Sequence, residues 1–132
     1  MKSDIEIKDD IYDFLKESEL AKEVTGKLCK RSKRPVDSDK EDIIISVLSS
    51  KNGGIQTAFV NVNIYVADDL INGQYEENTI RCRQLCDISK RVLESVHLKD
   101  CWIKLDSQRV LEVDATNEHV INNKLFYQLN TE

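Results

Sequence analysis

The apolar residues of this chain switch between two periods, and each switch marks a change of element. Ile11, Phe14 and Leu15 recur at helical spacing within residues 9–17, behind Asp9 and Asp10, where negative charge favours a helix N-terminus. This predicts a short amphipathic helix. After a break near Ser18 the pattern resumes through Leu20, Ala21 and Val24 until Gly26 supplies a helix stop. Ile43-Ile44-Ile45-Ser46-Val47-Leu48 is a continuous β-branched run, the mark of a strand covered on both faces or central in a sheet. Lys51-Asn52-Gly53-Gly54 follows with residues that tolerate the positive φ of a hairpin turn. From Thr57 to Val66 the period is two. Ala58, Val60, Val62, Ile64 and Val66 point one way, and Thr57, Phe59, Asn61, Asn63 and Tyr65 the other, so one face meets a core. The opposite face mixes Asn with Phe59 and Tyr65. That is more aromatic than water requires, and it makes the face a candidate interface.

Residues 67–77 are polar, contain Asn72-Gly73 and have no strong period, which predicts a long loop. Loops of that length in small domains are usually functional. From Asn78 to about Val96, Cys82, Leu85, Ile88, Val92 and Val96 recur at three and four residues, predicting the principal helix. Cys101–Leu105, Arg109–Val113 and His119–Leu129 read as three further strands. The expected fold is α+β: one mixed or antiparallel twisted sheet of about five strands packed on one long helix, with a short N-terminal helix. With 132 residues there is enough chain for one core, so residues 1–132 are expected to form a single domain, the arm 27–42 and the loop 67–77 being extensions.

Composition narrows the chemistry. The chain is 40% hydrophobic and 33% charged, with one Pro, four Gly and a formal charge of −5. These values describe an ordinary globular protein, and the charge argues against a surface that binds nucleic acid throughout. Any such contact would be local, and the candidate is the basic arm, with Lys27, Lys30, Arg31, Lys33 and Arg34 within eight residues and no acid among them. A charged edge that discourages unwanted strand pairing explains the same residues. The start of the chain is charged and lacks the apolar stretch of a signal peptide, and no apolar run is long enough to cross a bilayer. A cytoplasmic protein with reduced Cys29, Cys82, Cys86 and Cys101 is therefore expected.

Reactive constellations are weak. Cys82, Cys86, His97 and Cys101 have the inventory of a zinc site but not its spacing, so packed thiols are the simpler reading. His97 at a helix end and His119 at a strand start have no local partner for nucleophilic catalysis. Asp37, Asp39, Glu41 and Asp42 form an acidic lead into a strand. Gly53-Gly54 lacks the Lys-Ser/Thr and helix of a phosphate loop. No enzyme activity, metal or cofactor is expected.

The run Gly26, Arg34-Pro35, Glu41-Asp42, Ile43–Leu48 and Thr57–Val66, together with the order of elements, resembles the tail-terminator (tail-completion) proteins of long-tailed bacteriophages, the lambda-type minor tail protein U family. The resemblance implies a non-enzymatic structural subunit that forms a ring with itself, usually of six copies, caps the tail tube and joins it to the head. The expected partners are then the tail tube protein and a head-neck protein, and the expected location is the bacterial cytoplasm followed by the virion tail. Candidate contacts between neighbours are Phe59, Asn61, Asn63, Tyr65, Asp68, Asp69 and Tyr75, and the basic arm becomes a candidate DNA-facing or partner-facing segment. A head-to-tail adaptor, another small tail subunit or a monomeric protein-binding module are the alternatives.

Overall fold

The computed structural model describes residues 1–31 and 33–130; Ser32 of the arm and Thr131–Glu132 lie outside the described residues. The first helix begins earlier than its apolar spacing predicts, because Ser3 and Glu6 form a reciprocal cap. The Glu6 amide donates to Ser3 Oγ (3.2 Å) and the Ser3 amide to Glu6 Oε1 (3.1 Å), satisfying two amides that a helix start otherwise leaves bare. Helix α1 (Asp4–Leu15) therefore buries Ile7 as well as Ile11 and Leu15. At Ser18 one hydroxyl closes this helix and opens the next: it donates to the Leu15 carbonyl (2.6 Å) and accepts from the Ala21 amide (3.3 Å). Helix α2 (Glu19–Glu23) is a single turn and a half that buries Leu20.

The strands are β1 (Leu28–Cys29), β2 (Ile43–Gly53), β3 (Ile55–Ala67), β4 (Asp69–Ile71), β5 (Gln74–Glu76), β6 (Ser95–His97), β7 (Cys101–Val113) and β8 (Glu118–Leu129); α3 (Thr79–Leu93) lies between β5 and β6, and a 3₁₀ turn (Asp114–Thr116) between β7 and β8. The class is α+β. The main sheet has six strands, in the order β1-β2-β3-β8-β7-β6, where about five were expected, and it is mixed because β1 runs parallel to β2 while every other pair is antiparallel.

Three expectations from the sequence are corrected. The two strands Cys101–Leu105 and Arg109–Val113 are one, since pairing with β8 continues across a bulge between Leu105 and Ser107. The extra residue there, Asp106, breaks the apolar alternation and imitates a turn. The long helix stops at Leu93, and Val96 belongs to β6, where it faces Ile103 across the sheet edge. Residues 67–77 are not a loop. They hold the hairpin β4–β5, in which Asn72 (φ 51°) and Gly73 (φ 79°) occupy the two left-handed positions of a tight turn.

Alternation in β3 is realised as predicted: Ala58, Val60, Val62, Ile64 and Val66 are buried. They form one cluster with Ile7, Ile11 and Leu15 of α1, Leu20 of α2, and Cys82, Leu85, Ile88 and Leu93 of α3, so the helices cover one face of the sheet, called here the inner face. Each fully buried aliphatic side chain contributes roughly 1.5–3 kcal/mol. Polar groups on the inner face are paired. Asn123, fully buried, donates to Ser89 of α3 (3.2 Å) and accepts from Gln108 (2.8 Å), which also reaches the Cys86 carbonyl (3.1 Å) and fixes α3 against β7 and β8. Among the described residues no helix is long and apolar enough to cross a membrane.

Candidate interaction surfaces

The acidic lead into β2 is the structural centre of the arm. Glu41 and Asp42 are adjacent, so in extended chain they face opposite sides, and each finds an arginine. Glu41 takes both sides of the Arg81 guanidinium (2.7 and 2.7 Å), and Arg81 also binds Glu23 (2.9 Å), so α2, α3 and β2 meet on one planar cation. Asp42, almost wholly buried, accepts from Arg34 (2.9 Å), the Ser38 hydroxyl (2.6 Å) and the Lys27 amide (2.9 Å). Burial works against its charge, but these donors outweigh it and hold the carboxyl below its ordinary value. Arg34 also makes a two-point pair with buried Glu118 (2.7 and 2.8 Å), donates to the Ser38 and Lys40 carbonyls, and lies 4.4 Å over the Tyr65 ring. Its Nε, Nη1 and Nη2 all donate within the chain.

Within the expected basic arm Arg34 is an internal lock, its guanidinium paired with Asp42 and Glu118. Lys30 pairs with Asp9 (2.8 Å) and covers the Tyr12 ring, and the Lys27 backbone anchors the arm to Asp42 and Ile43. The side chains of Lys27, Arg31 and Lys33 remain exposed. Tyr65, a candidate interface residue, is occupied by the same lock. Gly26 has a different task from the helix stop expected of it: its amide bonds the Glu41 carbonyl (3.1 Å), and a Cβ there would stand 2.6 Å from the Glu41 backbone.

The thiols and histidines are dispersed. Burial pushes the Cys82 thiol up to about 12 and the Cys101 thiol up to about 11, and it raises Cys29 and Cys86 as well, which disfavours the nucleophilic thiolate. Asp10, Asp100 and Cys101 bring ligand atoms within 4.8 Å of one another. Lys2 Nζ stands 2.7 Å from Asp10 and 2.8 Å from Asp100, supplying there the positive charge that a metal would bring. His97 stacks on Trp102, with centroids 6.0 Å apart. His119 is buried and bonded through Nδ1 to Asp68 (2.6 Å), with Glu77 3.7 Å from Nε2. This imidazole holds the two ends of the β4–β5 hairpin, so Asp68, a candidate contact residue, is engaged within the chain.

The candidates Phe59, Asn61 and Asn63 lie on the outer face of the sheet. Phe59 meets Phe126 of β8 edge-on (5.7 Å), and Phe126 meets Trp102 of β7 edge-on (6.2 Å). With His97 these rings form a row across four strands. Asn61 and Asn63 both accept from Asn122 of β8 (3.0 and 2.7 Å), an amide ladder along the strand pair. Lys124 lies 4.4 Å over Phe59 and Lys104 5.8 Å over Trp102. Alternation in β3 exposed Phe59, Asn61 and Asn63 to sequence reading. Trp102, Phe126, Asn122, Lys104 and Lys124 escaped it, because register between distant strands brings them to the same face, and no local pattern carries that register.

The hairpin is the second surface. All six strand residues of β4 and β5 are exposed, including Leu70 at 62%, Tyr75 at 55% and Ile71 at 44%. Leu70 and Tyr75 are direct cross-strand partners and share one side; Asp69 and Glu76 are partners on the other. No protein-family model matches this chain, and no curated protein matches it.

Proposed function

We propose that this chain is a non-enzymatic subunit of a bacteriophage tail that closes into a ring with copies of itself, caps the tail tube and joins it to the head. The observation that carries the reading is the exposed hairpin bearing Leu70, Ile71 and Tyr75. Three large apolar side chains on a two-stranded ribbon gain nothing from the core of their own chain. An isolated hairpin is marginal in water, and large apolar side chains exposed on its sides, Leu70 with Tyr75 on one and Ile71 on the other, are typical of a contact element.

The reading draws support also from the residues that resemble the tail-terminator family. Arg34, Glu41 and Asp42 form the two arginine locks that fix the arm, and the strand from Thr57 to Val66 carries the open outer face. The resemblance therefore falls on residues that shape this particular surface. Its location, on this proposal, is the bacterial cytoplasm and then the virion tail.

Light scattering after size-exclusion chromatography, over a wide range of protein concentration, with electron microscopy of the largest species, tests the proposal. A closed ring of identical subunits is expected. A particle that stays at the mass of one chain at every concentration and salt removes the ring and leaves a monomeric binding module.

A further inference from the structure

The outer face and the hairpin are opposite in charge and lie at opposite ends of the same strands. On the outer face the residues in register are Lys51, Phe59, Asn61, Lys124, Phe126, Lys104, Trp102 and Arg109. Among the described residues Lys51, Lys104, Lys124 and Arg109 form no ion pair, in a chain of net charge −5. Asp106, the carboxylate of the β7 bulge, instead lines a cleft with Lys90, Arg91 and Glu94 beside α3. Residues 67–77 carry Asp68, Asp69, Glu76 and Glu77 and no Lys or Arg. Asp68 and Glu77 are turned to His119, whereas Asp69 and Glu76 sit directly opposite each other with no ion pair among the described residues. Like charges at that spacing destabilise a hairpin unless a cation from elsewhere joins them.

We infer that the β4–β5 hairpin of one copy seats on the outer sheet face of the next by the side that carries Asp69, Ile71 and Glu76, with Ile71 against the ring row and Asp69 and Glu76 against Lys104 and Lys124. The inference rests on the ring reading and gives that ring its two complementary sides. Within one chain the contact cannot form: Phe59 and Ala67 are separated by eight residues of extended strand, roughly 27 Å, and the hairpin begins beyond Ala67. A donor at one end and an acceptor at the other make a head-to-tail contact, which closes into a ring when the rotation permits. A single-stranded nucleic acid would also use rings and lysines, but it would leave the acidic apolar hairpin without an occupant.

The test exchanges the charges in the full-length chain. One variant carries Asp69→Lys and Glu76→Lys, the other Lys104→Glu and Lys124→Glu; circular dichroism melts matching the wild type establish that both fold. Each alone is expected to self-associate roughly tenfold more weakly or worse, and an equimolar mixture to recover the wild-type mass, because each then offers what the other lacks. Self-association of either variant at wild-type strength overturns the inference while the ring reading stands, and so does failure of the mixture to recover. A wild-type chain that never self-associates removes both. Binding of an oligothymidylate probe that the Lys104→Glu, Lys124→Glu variant loses, with assembly intact, assigns the face to nucleic acid and also overturns it.

Discussion

The outer sheet face has two ends built from the same strands, and they differ in who covers them. At the Tyr65 end the arm folds back: Arg34 lies over Tyr65 and pairs with Asp42 and Glu118, and Ile44 and Val120 are buried although they are on the side away from the helices. At the Phe59 end the rings are half-buried, and among the described residues the cations there rest on aromatic faces in place of carboxylates. Positive charge on this face of the sheet therefore has two uses. At the closed end Arg34 pairs at two points with Glu118; at the open end Lys104 and Lys124 form no ion pair among the described residues and lie beside apolar surface.

The largest expected effect lies at the closed end. Arg34→Ala strands Asp42 and Glu118, 1% and 4% exposed, without their partner, and a loss of about 3–5 kcal/mol follows from uncompensated buried charge. Urea unfolding measures it. Arg34→Met combined with Asp42→Asn and Glu118→Gln should recover much of the loss, since no bare charge then remains. At the open end Lys124→Ala should change stability by no more than about 0.5 kcal/mol. Equal losses at the two ends would erase the distinction.

Gly26 sharpens the same point from the backbone side. Gly26→Ala drives a methyl into the Glu41 main chain and the Asp42 carboxylate at the base of both arginine locks, with an expected cost of about 1–3 kcal/mol from overpacking. A residue that only stopped a helix would tolerate Ala more easily. Thermal unfolding of the variant, compared with Gly53→Ala, where a Cβ meets open space, separates the two explanations.

Acid should weaken the closed end. Asp42 has a folded-state pKa below its unfolded value, despite its burial, through Ser38, Lys27 and Arg34. Its contribution is therefore complete above the unfolded carboxylate value of about 3.9 and is lost as pH falls through the folded value. Stability measured from neutral pH downward should drop below about pH 4, and Asp42→Asn should flatten that drop while lowering stability at neutral pH. An unchanged acid limb in the variant would assign the acid sensitivity to other carboxylates.

How much of this was legible depended on the distance over which each pattern acts. Alternation in Thr57–Val66 is local, and it placed Phe59, Asn61 and Asn63 on one face correctly. The capping box Ser3-x-x-Glu6 was equally local but lay ahead of the apolar stripe, so the helix was expected to start late. The hairpin at Asn72-Gly73 was hidden because its strands are three residues each and exposed on both sides, leaving no period to read. Arg34 was read as free charge because its partner Glu118 is 84 residues away. The row Phe59, Phe126, Trp102 exists only through the register of β3, β8 and β7, which side chains facing water do little to specify.

The smallest expected effect is at the hairpin tip, and it bears on why the two ends differ. If Leu70 and Tyr75 serve a contact with another molecule, then Leu70→Ser should leave the stability of the isolated chain within about 0.5 kcal/mol, because the side chain is already in water. Amide exchange of β4 and β5 should be fast in dilute protein, since a lone two-stranded ribbon opens easily, and slow in the assembled form. His119→Ala should speed that exchange further by freeing Asp68 and Glu77, the two ends that the imidazole gathers. A hairpin already protected in dilute protein would instead belong to the fold of its own chain, and the open end of the sheet would need a different occupant.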